Sequence, residues 1–219
     1  MKTVFAPGCA LFIHNIELAE KISAYLRARY NIGEVHETCC HHDPNVTEET
    51  KLVCVCSGCI RRYDTLYYDV SAISLWELID RDPDFSFPDY GGMTMTVLDA
   101  CPTRLYPQMH DAVRSIMEKM NIKIVEPART GTEGKCCGDS FYGVLPKEQV
   151  IGKMRERGNE MPAEDVAVYC VSCVKAMKNG GKTPRYLPDL LFGTDTPAGE
   201  CDPDAWHAQV DDFIEKHQT

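Results

Sequence analysis

Cysteine is the residue with most chemistry to offer in this chain of 219 residues, and ten of the twelve cysteines fall into one pattern used twice. Cys9, the pair Cys39-Cys40 and Cys56-Ser57-Gly58-Cys59 are answered by Cys101, the pair Cys136-Cys137 and Cys170-Val171-Ser172-Cys173. In each copy a lone cysteine closes an apolar stretch, a vicinal pair comes some way downstream, and a C-x-x-C follows. Thiolates are soft ligands that suit zinc and iron–sulfur clusters. A zinc ribbon needs two C-x-x-C units within about twenty residues. Here Cys59 and Cys170 lie far apart, and a ribbon gives no role to Cys9, Cys39, Cys40, Cys101, Cys136 or Cys137. Four cysteines also suffice for an ordinary cubane cluster. Either one thiol per set is idle, or the cluster is of a kind in which one thiolate bridges two irons. Adjacent cysteines on a turn project their sulfurs apart and suit neighbouring irons, which favours the unusual cluster. Disulfides would need an oxidising compartment and usually a core-poor scaffold, and vicinal pairs are awkward for a structural bridge.

The elements that must position these thiols repeat as well. Apolar strands are expected at Lys2–Ala6 before Cys9 and at Thr94–Leu98 before Cys101. Amphipathic helices follow, with buried stripes at Ile16, Ala19, Ile22 and Leu26, and at Met109, Val113, Ile116, Met117 and Met120. Second strands are expected over Gly33–Thr38 and Ile122–Glu126. Lys51–Cys56 and Asp165–Cys170 read as strands buried on both faces, turning into helices at Ser57-Gly58 and Val171-Ser172. Each half closes alike, on Tyr68–Ile79 and on Tyr186–Phe192. Pro146–Gly158 supplies a helix, with Val150 and Met154 among its few apolar positions, whose counterpart is missing between Cys40 and Cys56. Strands alternating with helices imply parallel pairing and an α/β class. The expected architecture is two pseudo-symmetric lobes, each a small parallel sheet flanked by helices, with cysteines at the strand carboxyl ends, where ligands collect. The expected divisions are 1–90 for a shortened first repeat, 91–200 for the second, and 201–219 for a C-terminal helix that docks on one lobe. Asp82–Gly92, rich in Pro, Asp and Gly, reads as the connector.

Composition removes several functions. A formal charge of −10 argues against a nucleic-acid partner. No run of about eighteen apolar residues is present for a spanning helix, and the stretch Met1–Cys9 is too short in apolar residues for a signal peptide. A cytoplasmic location is expected.

Cys101…Cys136-Cys137-Gly138…Cys170-Val171-Ser172-Cys173 resembles the cysteine-rich CCG domain, which occurs in tandem in the B subunit of heterodisulfide reductase. Relatives occur in lactate-utilisation, glycerol-3-phosphate dehydrogenase and succinate dehydrogenase-type electron-transfer proteins. The resemblance covers nearly the whole chain. It implies a noncubane [4Fe-4S] cluster on each set: Cys9, Cys39, Cys40, Cys56 and Cys59 for one, and Cys101, Cys136, Cys137, Cys170 and Cys173 for the other. It further implies a cavity between the clusters where a disulfide is cleaved, each cluster taking one sulfur. The first pair departs from the pattern, since His41 stands where the family has glycine.

The expected function is therefore an iron–sulfur oxidoreductase subunit of heterodisulfide reductase type, acting on a small disulfide or thiol in anaerobic metabolism. Electrons would come from an iron–sulfur or flavoprotein partner subunit, because neither G-x-G-x-x-G nor a ferredoxin-like C-x-x-C-x-x-C run is present. The alternatives are an electron-transfer subunit without substrate chemistry, and a zinc-binding structural or interaction protein. Candidate catalytic residues are His41 and His42, as proton donors or hydrogen-bond partners of cluster sulfur, and Lys135 and Asp139, which flank the second pair and would orient substrate. His41 and His42 read equally well as surface polar residues on a shortened loop. Arg61, Arg62 and Arg104 would hold an anionic substrate or be merely solvated. Cys54 reads as a buried, inert thiol and Cys201 as a loop thiol.

Overall fold

A computed structural model describes residues 2–37 and 49–217. The first half builds a three-stranded sheet from β1 (Lys2–Ala6), β2 (Thr50–Cys54) and β3 (Val70–Ser74), in the order β1-β2-β3. The second builds a four-stranded sheet from β4 (Thr94–Leu98), β5 (Lys123–Ile124), β6 (Asp165–Val168) and β7 (Thr183–Tyr186), in the order β5-β4-β6-β7. Every pairing is parallel. Leu52, Val53, Val97, Val166 and Val168 are all buried, as the doubly covered strands of a parallel sheet must be.

The helices are α1 (Cys9–His14), α2 (Ile16–Tyr30), α3 (Ser57–Leu66), α4 (Leu75–Arg81), α5 (Pro107–Lys119), α6 (Lys147–Asn159), α7 (Val171–Asn179), α8 (Leu187–Phe192) and α9 (Pro203–Lys216). A 3₁₀ turn, Cys101–Leu105, stands in the second half where α1 stands in the first. The strand expected over Gly33–Thr38 reduces, among the described residues, to one parallel bridge between Phe5 and Val35. That bridge sits beside β1 as β5 sits beside β4, so the two sheets share one topology. The strand expected over Ile122–Glu126 shortens to β5.

One helix stripe differs from expectation. Ile16 is 58% exposed, while Leu18, Ala19, Ile22 and Leu26 are buried. Asn15 is extended and its side chain accepts the Leu18 amide at 3.2 Å, so the helix restarts at Ile16 with a new phase. Leu18, Ile22 and Leu26, four residues apart, then form the stripe. In α5 the expected Met109, Val113, Ile116 and Met117 are buried, with Met120 at its cap. Trp206 and Ile214 seat α9, which packs on α1 and α6.

The halves meet through reciprocal contacts. α1 packs on α7 and α3 packs on the Cys101–Leu105 turn; α2 packs on α8 and α4 on α5. Each contact has its mate under exchange of the halves, which is the mark of a two-fold arrangement. All four elements in the first two contacts begin at or just after a cysteine: α1 at Cys9, α3 after Cys56, α7 after Cys170. The turn begins at Cys101 itself. The interface therefore turns the cysteine-bearing ends of the two sheets toward each other.

Candidate metal centre

Cys9 and Cys101 lie just beyond the carboxyl ends of β1 and β4, and Cys56 and Cys170 just beyond those of β2 and β6. These neighbouring strands bracket the point where the connections switch to opposite directions along the sheet, and the loops diverge there to leave a crevice. Local sequence makes that crevice tight. Gly8 has φ +83, and a side chain there would meet Cys56 Cβ at 3.2 Å and Cys59 Sγ at 3.3 Å. That glycine brings the first loop onto the C-x-x-C of its own lobe. Cys39, Cys40, His41 and His42 lie outside the described residues, and so does most of the segment between Cys40 and Cys56 on which the expectation of a missing helix falls.

In the second set all five cysteines are accounted for. The Cys101 thiol neighbours that of Cys136, Cys136 neighbours Cys137, Cys137 neighbours Cys173, and Cys173 neighbours Cys170, each near enough to perturb the ionisation of the next. The sulfurs thus form one unbroken chain. None of the five is in a disulfide. Hydrogen bonds from Cys101, Cys137 and Ser140 and from the Gly138 amide hold the Cys136 pKa far below the ordinary thiol range. Ser140 Oγ lies 2.8 Å from the sulfur, and the Gly138 N–H donates to it at 3.3 Å. Cys101, Cys137 and Cys173 move the other way, each first because it donates toward a neighbouring sulfur and then through burial. Gly138, with φ +116, turns the chain so that its amide reaches back to sulfur, and a side chain there would strike Met154 at 2.8 Å.

A buried polar network fixes both loops of this set. Asp99, at the end of β4, accepts from Arg114 Nη1 and Nη2 (3.1 and 2.9 Å), Tyr169 (2.9 Å), Thr130 (3.0 Å) and the Gly131 amide (2.7 Å). Burial, the largest single influence, would raise the Asp99 pKa, but the hydrogen bonds and charge of Arg114 together with the Gly131 amide outweigh it and hold the carboxyl below its usual range. Arg104 Nε donates to Gly134 O at 2.8 Å, two residues before Cys136. The turn that begins at Cys101 and the loop before Cys136 are thereby tied together.

Two buried groups that the spacing of the chain gives no hint of bridge the halves. His14, on α1, donates from Nε2 to Asp189 Oδ2 on α8 at 2.9 Å, with both side chains buried. Its Nδ1 is buried without a partner among the described residues. Tyr186 packs edge-on to the His14 ring at 4.8 Å, and burial first, then the nearby sulfurs of Cys56 and Cys170, push its hydroxyl pKa well up. Both cysteine sets therefore bear on Tyr186.

The candidates around the second pair are differently placed. Lys135 is ion-paired with Glu160, and Asp139 Oδ1 lies 3.1 Å from His207 Nε2. Arg61 is exposed, and Arg62 Nε is buried without a partner among the described residues. Cys54 is buried beneath the first set, and Cys201 lies in the loop before α9.

The donor set suits an iron–sulfur group: five clustered thiols, with backbone and hydroxyl donors aimed at sulfur. Ser57 Oγ, beside Cys56, is a further buried polar atom without a partner among the described residues. Also among the described residues, no three His, Cys, Asp or Glu side chains surround a position for a single metal ion. The sulfurs of the second set form a chain rather than a cage. No helix of the described residues is long and apolar enough to cross a membrane.

The chain matches no family model and no curated protein. Among solved structures it is similar to Picrophilus torridus aspartate racemase, at 9% identity with a TM-score of 0.38, over 88% of this chain and 94% of that one.

Proposed function

We propose that the chain is a cytoplasmic iron–sulfur oxidoreductase subunit carrying two noncubane [4Fe-4S] clusters, as in the tandem CCG proteins it resembles. The observation that carries this reading is the unbroken chain of five sulfurs, Cys101 to Cys170, at the strand-end rim. Cys101, Cys136, Cys137, Cys170 and Cys173 would hold one cluster, and Cys9, Cys39, Cys40, Cys56 and Cys59 the other. When bound, such clusters supply single electrons at low potential to a sulfur substrate. Reduction of a disulfide to two thiols takes up two electrons, delivered by a partner subunit, and two protons. Ser140 and the Gly138 amide would stabilise negative charge on the Cys136 sulfur. Tyr186 and the His14–Asp189 pair are the buried protic groups that the chain offers to hold protons where the two halves meet.

The test is metal and acid-labile sulfide analysis of anaerobically purified protein, followed by reduction of a disulfide with a low-potential dye as donor. About eight irons with matching sulfide per chain are expected, and Cys137→Ser removes one of two paramagnetic signals. Zinc without sulfide overturns the reading.

A further inference from the structure

A second site opens beside Cys136. A cavity of about 460 Å³ is lined by Arg104, Lys135, Lys153 and Arg157, by Glu156 and Glu160, and by Cys136, Ser140 and Phe141. Its size falls in the range of small-molecule sites. Four cations against two carboxylates leave an excess of two positive charges, in a chain whose formal charge is −10. With Cys136 counted as a thiolate, one positive charge remains. That local reversal of sign is the first observation.

The second is Arg157. It is 3% exposed, its Nη1 donates to Glu160 at 2.7 Å and its Nη2 to Arg129 O at 3.1 Å. Its Nε–H is buried and has no acceptor among the described residues. A buried donor left without an acceptor is costly, and a ligand oxygen would relieve it. The third is Arg104, whose guanidinium is fixed at its root by the Gly134 carbonyl. No ion pair of the described residues engages it, so its planar face of donors is available for a bidentate contact with an oxyanion.

We propose that this cavity is a binding site for a small organic oxyanion, a carboxylate or a phosphate ester, held by Arg104 and Arg157 against the Cys136–Ser140 wall. Phe141 at the rim covers the apolar part of such a ligand. The claim concerns binding alone and stands apart from the cluster reading.

Calorimetric titration of the anaerobically purified full chain at low salt, with inorganic phosphate and with citrate separately, tests it. Saturable binding of at least one anion is expected, weakening as salt is added. Arg104→Gln is expected to weaken it about tenfold or more, the scale of one charged hydrogen bond, and Lys153→Gln to weaken it less. Preference for phosphate or for citrate tells which oxyanion the site takes. Absence of saturable binding at millimolar anion, or binding that Arg104→Gln leaves unchanged, overturns the proposal. The same samples carry the metal analysis. Anion binding without iron would sink the cluster reading and keep this site; iron and sulfide without anion binding would do the reverse.

Discussion

Replacing Arg114 by alanine strips Asp99 of its only charged partner in the described structure. The Asp99 side chain is 1% exposed, and two of its five hydrogen bonds come from the guanidinium. Removing one member of a buried ion pair costs about 3–5 kcal/mol, because the remaining charge stays desolvated. Tyr169, Thr130 and the Gly131 amide still donate to Asp99, which places the expected loss near the lower end, about 3 kcal/mol. At about 2–4 °C per kcal/mol for a chain of this size, the midpoint of thermal unfolding falls by about 6–12 °C. The pH dependence gives the test its sign. Asp99 has a folded pKa below its unfolded one, so its stabilising contribution is complete above the ordinary carboxylate range and fades as pH falls through the folded value. In Arg114→Ala, burial without the cation raises Asp99 instead, and acidification relieves it by protonation. The stability gap between wild type and variant should therefore begin to narrow above the ordinary carboxylate pKa of about 4 and go on narrowing as pH falls through it. Urea unfolding of both proteins under reducing, anaerobic conditions, followed by circular dichroism from pH 7 to 3.5, measures it. A gap under about 1 kcal/mol at pH 7, or one that stays constant on acidification, refutes the argued role of Arg114.

Three further outcomes follow from the packing. Gly158→Ala would drive a Cβ to 2.3 Å from Gly180 O, where the end of α6 meets the end of α7; a loss of about 1–3 kcal/mol or more in chemical unfolding is expected. In Gly138→Ala the unfavourable φ and the contact with Met154 displace the Cys136–Cys137 turn; iron content of the second site should fall by at least half while far-ultraviolet dichroism stays unchanged. His14→Ala leaves Asp189 buried and short of its His partner, with Thr194 Oγ1 still donating at 2.6 Å. About 1–3 kcal/mol should be lost, the cost of leaving a buried polar group short of a partner, and urea unfolding measures it.

Much of this molecule can be read along the chain. A C-x-x-C after a short β-branched run already says that a thiol pair sits where a strand turns into a helix, and α3 and α7 begin there. Repetition of the cysteine pattern predicts two like sheets, and the orders β1-β2-β3 and β5-β4-β6-β7, with the Phe5–Val35 bridge, have that likeness. These are local properties, set by side-chain period and turn chemistry within a few residues. Ile16 failed for an equally local reason, because a single Asn cap resets the phase of a helix that apolar spacing alone would carry through.

Tertiary structure decided what depends on meeting across distance. His14 finds Asp189, Arg114 finds Asp99 and Glu126, and Arg157 comes to line a pocket with Arg104, each through packing that no period within one element records. The fate of a buried charge is set by which partners the fold delivers to it, and those arrive from other strands and helices. Thus the amino-acid sequence named the sulfurs, and the fold joined those of the second set into one chain and set hydrogen-bond donors on Cys136.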